Sequence, residues 1–303
     1  MTTSVVVPTR NRGRFVVEAV QSALDAGVAD EVIIVDGGST DGSLEELRRL
    51  PSEVRIVEGS YPNAAATRNA GAEVANSDLI AFLDSDDLML PAKITCLAPI
   101  LEADDSIALA HGRTVVIDER GTPLEAATQG QLAEIDAGER RGTSYPDLAD
   151  YCSMFTSATL VRRSAFLAVG GYDESLAVYE DWDFYLRLSL RFRLVYADCV
   201  TAQYRVWPGN VGWSQTAEWT ARVAEKHLGD LPELTPAERA AARFAFLARL
   251  TTSNHVLVRT AESRRAALSA FRLAPLATVR DRRIRGPLLR SFLPDGLLRR
   301  RRP

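Results

Sequence analysis

The chain has 303 residues, 46% of them hydrophobic and 25% charged, with a formal net charge of −4. This is the composition of a globular protein long enough for a large core and a smaller second unit. It excludes a collagen-like or disordered chain and gives no electrostatic reason to expect nucleic acid as a partner.

The first ninety residues alternate short apolar runs with helical patterns. Strands are expected at Ser4–Val7, Glu31–Val35, Val54–Val57 and Leu79–Leu83, all rich in Val, Ile and Leu, as strands covered on both faces should be. Helix-like segments lie between them at Phe15–Ala26, Ser43–Leu50 and Ala64–Ala75. The alternation implies a parallel sheet flanked by helices, with ligands at the carboxyl ends of its strands. Further on come a helix at Pro91–Ala103, a strand at Arg113–Ile117 and a long polar loop at Thr122–Thr143. A strand at Thr156–Val161, a helix at Asp181–Arg191 and strands at Leu194–Ala197 and Ala202–Val206 follow. Thr235-Pro236-Ala237-Glu238 is a capping box with Pro at the first helical position, so helices are expected over Ala237–Val258 and Ala261–Leu273. The expected division is a catalytic unit over 1–213 (a nucleotide half to about 90 and an acceptor half from 91) and a helical basic extension over 214–303.

Charge is distributed unevenly. From Leu276 to Pro303 nine arginines face two aspartates, a net of +7, so the remainder of the −4 chain carries −11. Pro287–Pro294, then Leu297, Leu298 and Arg299 to Arg302, suit a membrane interface, with apolar groups buried and arginines at anionic headgroups. A solvated basic tail is the plainer reading. No stretch approaches the about 18 apolar residues that spanning a bilayer requires. No basic, apolar leader precedes the first strand, so a cytoplasmic protein is expected, peripheral on the inner face of the plasma membrane if the tail binds lipid. Cys96, Cys152 and Cys199 are widely spaced, which suggests reduced thiols. His111, His227 and His255 show no ligand pattern and are expected in core or surface roles.

Three of the first four strands run into polar loops: Pro8-Thr9-Arg10-Asn11-Arg12, Asp36-Gly37-Gly38-Ser39-Thr40-Asp41-Gly42 and Asp84-Ser85-Asp86-Asp87. Crowded carboxylates at a strand mouth raise one another's pKa unless a cation offsets the repulsion, and hard oxygen ligands suit Mg²⁺ or Mn²⁺. Asp36 fits either a nucleobase contact or an Asx turn, and Asp41 a helix cap. Arg68 fits a phosphate or base contact or an exposed helix arginine. Asp181 fits a general base or an acid favoured by the helix dipole. The Gly-x-Gly-x-x-Gly spacing of dinucleotide folds is absent.

Taken in order, Val5–Asn11, Ile34–Gly42, Ala66–Gly71, Phe82–Asp87, Gly170–Glu174 and Glu180–Asp183 resemble the motifs of family 2 inverting glycosyltransferases over roughly residues 3 to 213. The resemblance implies an α/β GT-A fold, a Rossmann-like, mostly parallel sheet flanked by helices. It implies donor binding by Pro8, Thr9, Arg10, Asn11, Asp36, Ser39, Asp41, Arg68, Asp84, Ser85 and Arg205, with Thr9, Asp36 and Arg68 at the nucleoside. Asp84 and Asp86 would hold the metal, Mn²⁺ or Mg²⁺, and the diphosphate. Asp181 would be the catalytic base. Tyr172, Asp173, Glu180 and Trp182 would face the acceptor, with the Thr122–Thr143 loop. The implied partners are a nucleoside-diphosphate sugar and a glycan or lipid-linked acceptor of cell-surface polysaccharide or glycolipid synthesis. Many relatives carry a His two residues after Tyr204-Arg205, where this chain has Trp207. That leaves the third metal ligand open and shifts diphosphate contact toward Arg205. A sugar nucleotidyltransferase would need a Gly-rich loop after the first strand, and Pro8–Gly13 has only Gly13. A catalytically inactive sugar-nucleotide-binding protein would have no need of both the aspartate pair and Asp181.

Overall fold

The computed structural model describes residues 1–51, 54–129, 143–209 and 213–290. It forms two compact units, one of residues 1–144 with 153–210 and one of 145–152 with 211–303. In chain order the elements are β1 (Thr3–Thr9), α1 (Arg14–Ala26), β2 (Glu31–Asp36), α2 (Ser43–Leu47), β3 (Val54–Glu58), α3 (Ala64–Val74) and β4 (Leu79–Phe82). Then come β5 (Leu88–Met89), α4 (Ala92–Thr95), α5 (Ala98–Ala103), β6 (Ile107–Ile117), α6 (Tyr145–Asp150), β7 (Thr159–Arg162), α7 (Arg163–Ala168), α8 (Glu180–Ser189) and β8 (Arg193–Arg205). The second unit adds α9 (Trp213–Lys226), α10 (Pro236–Val256), α11 (Thr260–Leu273), α12 (Pro275–Arg280) and α13 (Arg282–Arg290) to α6.

The sheet of the first unit runs β3-β2-β1-β4-β7-β6-β8-β5. Its first four strands are parallel, and β7 joins β4 and β6 antiparallel. The apolar runs explain this. Every residue of β1 is buried, so both faces need cover. Val5 and Val7 share a cluster with Val16, Ala19, Val20 and Ala23 of α1. Val6, one step out of phase, meets α3 at Gly71, where a Cβ would lie 2.3 Å from Val6 Cγ1 and 3.0 Å from Val35 Cγ2. Helix α3 starts at Asn63, whose side chain accepts from the Ala66 N–H at 3.0 Å. The capping box at Thr235 and Glu238 is formed at the start of α10.

Several expectations are corrected. The single helix at 91–103 is split into α4 and α5, because Pro99 offers no N–H to continue the ladder and restricts the residue before it. Residues 156–158 are a 3₁₀ turn, with the strand beginning at Thr159. The two strands expected over 194–206 are one strand, β8, which pairs with β6 across register shifts. The polar stretch from Thr122 opens with a bridge from Pro123 to Ile117 and a helical turn at 125–129, where Thr128 Oγ1 accepts from the Val116 N–H. Residues 130–142 and 291–303 lie outside the described residues, and with them the rest of that loop and most of the tail. Cys96 and Cys199 are paired as a disulfide rather than free, because the α4–α5 turn lies against β8, a juxtaposition that sequence spacing does not report.

Gly71→Ala tests the α3 packing. Helix propensity favours Ala by about 1 kcal/mol. Crowding of Val6 and Val35 opposes it by about 1–3 kcal/mol. The variant is expected to unfold at lower denaturant concentration than the wild type. A more stable variant would show that α3 has room to spare.

Candidate active site

Strands β1, β2 and β4 end on one rim, and β2 and β4 leave β1 on opposite sides, the arrangement that opens a crevice beyond the strand ends. Two loops on this rim are tied together. The Asn11 N–H donates to Ser39 Oγ at 2.9 Å, and Asn11 Oδ1 accepts from the Thr40 N–H at 2.7 Å. The Gly13 N–H donates to Asp41 Oδ2 at 2.9 Å. Asp36 is buried and accepts from the Gly38 and Ser39 N–H groups, so its carboxylate shapes the Gly37–Gly42 loop from within. Thr9, at the end of β1, is buried with its hydroxyl lacking any partner. Such a group is costly unless a ligand meets it. Pro8 is buried in β1, whereas Arg10 and Asn11 lie exposed on the rim.

Beyond β4 the three aspartates have separate surroundings. Asp87 is buried, with Oδ2 accepting from Ser157 Oγ at 2.6 Å and Oδ1 from the Arg205 N–H at 2.9 Å. Burial, then the charges of Asp84 and Asp86, push its carboxyl well above the usual range. Asp86 is raised by burial and by Asp84, against a 2.9 Å hydrogen bond from the Trp207 indole N–H. The Asp84 N–H donates to Ser157 Oγ, and its carboxylate, partly open to solvent, accepts from Arg68. Ser85, between them, is buried. Arg205 spends its nitrogens on the Asp86 carbonyl (2.7 Å), the Glu119 carbonyl (3.0 Å) and Glu18 (2.7 Å). Lys93, fully buried, donates to the Phe82 carbonyl, and burial lowers it to about 7 despite the opposing pull of Asp84 and Asp87.

Arg68 joins this tip to the start of α8. One terminal nitrogen bonds Asp84 and the other Glu180, each at 2.5 Å. Asp181, the next residue, accepts from its neighbour's N–H at Trp182 (2.7 Å) and from Thr156 Oγ1 (3.3 Å). Burial and the adjoining Glu180 raise its carboxyl to about 7, in the range where a general base operates near neutrality. The acceptor-side candidates divide. Tyr172 and Trp182 are buried, Tyr172 among Phe82, Phe166 and Phe184 with its hydroxyl unpartnered. Glu180 is buried against Arg68, and Asp173 shapes an exposed turn by accepting from Ser175.

The sequence reading did not single out Ser157, Thr156, Glu18 or Lys93. Ser157 links two aspartates and Glu18 partners Arg205. Their only linear signal is polarity beside a strand or helix, which many surface residues share. Asn69, noted only as part of a motif, accepts from the Tyr172 N–H (2.9 Å) and donates to its carbonyl (3.0 Å), holding the Gly170–Gly171 turn.

The donor set at the tip suits a hard divalent ion: Asp84 and Asp86 stand close together, with Asp86 raised by burial and then by Asp84, and Arg68 on Asp84 and Arg12 near Asp86 offset only part of that charge. Among the described residues no group of three or more His, Cys, Asp or Glu is placed to hold a metal.

The family profile described as "Glycosyltransferase like family 2" matches residues 4–227. An uncharacterised glycosyltransferase of Bacillus subtilis, YwdF, is 28% identical over 243 residues, covering 77% of this chain and 87% of its own. The succinoglycan biosynthesis protein ExoU of Rhizobium meliloti is 30% identical over 223 residues, 64% of this chain and 59% of its own. S. aureus TarS 1-349 in complex with UDP-GlcNAc superposes with a TM-score of 0.67 at 16% identity, covering 96% of this chain and 89% of that one. A mannosyltransferase of Pyrobaculum calidifontis in complex with GDP-Man and Mn²⁺ gives 0.61 at 17%, covering 95% and 83%. At these identities the two structures speak to the fold.

Asp181→Asn separates a catalytic from a structural carboxyl. If Asp181 takes a proton, kcat/KM of the wild type rises with pH through about 7, because the ionised form is the base. The variant is expected to lose this limb and about 10²–10⁴-fold in rate. A carboxyl raised from 3.8 to about 7 binds its proton more tightly folded than unfolded, so it lowers stability as pH climbs through that interval. The variant should therefore melt no lower than the wild type at pH 8. A large drop in melting temperature with the pH limb intact would make the residue structural.

Proposed function

Because the chain belongs to the glycosyltransferase-like family 2 and has its GT-A fold, we propose that it moves a hexose-like sugar from a nucleoside diphosphate to an acceptor hydroxyl with inversion. The observation that carries this reading is the Arg68 bridge. It joins Asp84 to Glu180, the residue before Asp181, and this supports a diphosphate tip working with a base whose carboxyl is raised to about 7.

The unpartnered Thr9 hydroxyl and the loop shaped by Asp36 would receive the nucleoside. Asp84 and Asp86 would hold Mn²⁺ or Mg²⁺, which when bound would supply positive charge to offset the negative charge developing on the departing diphosphate. Asp181 takes the proton of the acceptor hydroxyl as its oxygen bonds to the anomeric carbon and the bond to the diphosphate breaks. Arg205, with its guanidinium spent inside the protein, braces the tip from behind through the Asp86 carbonyl and the Asp87 carboxylate. Both terminal nitrogens of Arg68 are engaged as well, on Glu180 and Asp84, so it serves as a positioning residue between the two halves of the site.

The similarity to a succinoglycan biosynthesis protein supports an acceptor in cell-surface polysaccharide or glycolipid synthesis. No helix among the described residues is long and apolar enough to cross a membrane. A peripheral contact fits the second unit, where Leu276 and Val279 of α12 and Leu289 of α13 are 75%, 55% and 67% exposed. Arg280, Arg282, Arg285 and Arg290 are exposed among them. Apolar side chains interleaved with guanidinium groups match a bilayer interface carrying anionic lipid, at about 1 kcal/mol per basic residue.

Two measurements test these readings. In thermal-shift assays with Mn²⁺, one nucleoside-diphosphate sugar among UDP, GDP and dTDP donors should raise the melting temperature, because a ligand confined to the native state stabilises it. Asp84→Ala should abolish that shift. No stabilisation by any donor, or release of pyrophosphate from a nucleoside triphosphate, would defeat the transferase reading. For the membrane, the protein should sediment with phosphatidylglycerol vesicles but not with phosphatidylcholine ones, and Leu276→Glu with Leu289→Glu should release it. Equal binding to both vesicles, or to neither, would count against the contact.

A further inference from the structure

Trp207 follows β8 by two residues, and no role in donor or acceptor binding explains how firmly it is held. Its indole N–H donates to Asp86 Oδ2 at 2.9 Å. Phe15 meets its ring edge-on, with centroids 5.2 Å apart, and the Arg12 guanidinium lies 5.6 Å from the ring centroid. The chain then turns at Gly209 directly against the ring, where a Cβ would lie 2.0 Å from the indole Cη2. Only a residue without a side chain leaves the indole this place. The other end of Asp86 is fixed too, its carbonyl accepting from Arg205 Nε at 2.7 Å.

An indole nitrogen only donates, so it is not a metal ligand. What it does is take one lone-pair direction of a carboxylate oxygen and fix the plane of that group. We infer that Trp207 is a positioning residue for the divalent ion, holding the Asp86 carboxylate in one orientation toward it. The inference rests on the metal reading of Asp84 and Asp86 and adds to it the group that orders one of the two carboxylates. It also accounts for the run Trp207-Pro208-Gly209. The glycine makes room for the ring, and the ring orients the carboxylate. Partners of this kind alter metal affinity by about 10–100-fold when removed, because a freely turning carboxylate must be ordered again on binding.

The test uses the full-length protein and Mn²⁺, alone and in the presence of UDP or GDP, with free ion measured by electron paramagnetic resonance. The wild type should bind Mn²⁺, and Asp86→Asn should not. Trp207→Phe, which keeps the aromatic packing and removes the donor, should raise Kd by about tenfold or more with little change in melting temperature. Paramagnetic Mn²⁺ should quench part of the tryptophan fluorescence of the wild type, and Trp207→Phe should remove that part. Should Trp207→Phe fail to fold, Gly209→Ala, which displaces the ring, is expected to raise Kd likewise. Wild-type binding with Kd unchanged in the variant that folds, and with quenching retained, overturns the role of Trp207 and leaves the metal reading standing. Absence of Mn²⁺ binding by the wild type, both alone and in the presence of UDP or GDP, overturns both.

Discussion

The Arg68 guanidinium sits between two carboxylates from distant parts of the chain, Asp84 after β4 and Glu180 at the start of α8, and is itself buried. Removing one partner of such a network leaves an uncompensated charge in a poorly solvated place, which costs about 3–5 kcal/mol. The pair is therefore a constraint more than a source of net stability. It fixes where the tip of β4 stands relative to α8. Its neighbour Asn69 acts in parallel, holding the Tyr172 backbone and thereby the turn before α8. Two consecutive residues on α3 thus set both approaches to the site. They can do so because Gly71, on the same helix, lets it lie close on β1 and β2.

Around this bridge the acidic residues separate into roles by what surrounds them. Asp87 has both oxygens bonded to protein donors, so it builds the loop. Asp86 has one oxygen bonded by Trp207, and Asp84 shares one with Arg68 while remaining partly open. An acidic tip of this density needs cations behind it, and the chain supplies Lys93 beneath β4 and Arg205 from β8. Burial lowers Lys93 to about 7, and the charges of Asp84 and Asp87 pull it the other way. Its partner oxygen, the Phe82 carbonyl, lies at the last residue of β4, so the lysine also ties down the strand end that launches the tip.

Legibility in the sequence followed periodicity and locality. The apolar runs gave β1, β2 and β4 nearly to the residue, because strands buried on both faces leave a continuous apolar signature, whereas β3, expected to be covered on both faces, is an edge strand with Arg55 and Glu58 exposed. The aspartates after β4 and Asp181 were readable because they sit at strand and helix ends. Roles decided by partners far along the chain were not readable. Arg68 was expected at the nucleoside and Arg205 at the diphosphate, and the protein partners that hold them, Glu180 and Asp84 on the terminal nitrogens of Arg68 and Glu18 with two backbone carbonyls on Arg205, lie up to 187 residues away and leave no linear signal. The pairing of Cys96 with Cys199, 103 residues apart, was illegible for the same reason. The division of the long helix at Pro99 was a local signal that helical periodicity masked.

The same bridge bears on Asp181. Burial and the charge of Glu180 are the larger causes that raise its carboxyl to about 7, Asp84 adds a smaller push, and Arg68 opposes them. One guanidinium therefore meets Glu180 and Asp84 directly and favours the ionised form of the carboxyl next along the chain. A carboxyl raised in this way lowers stability as it ionises, and a buried guanidinium held between two other carboxylates limits that cost.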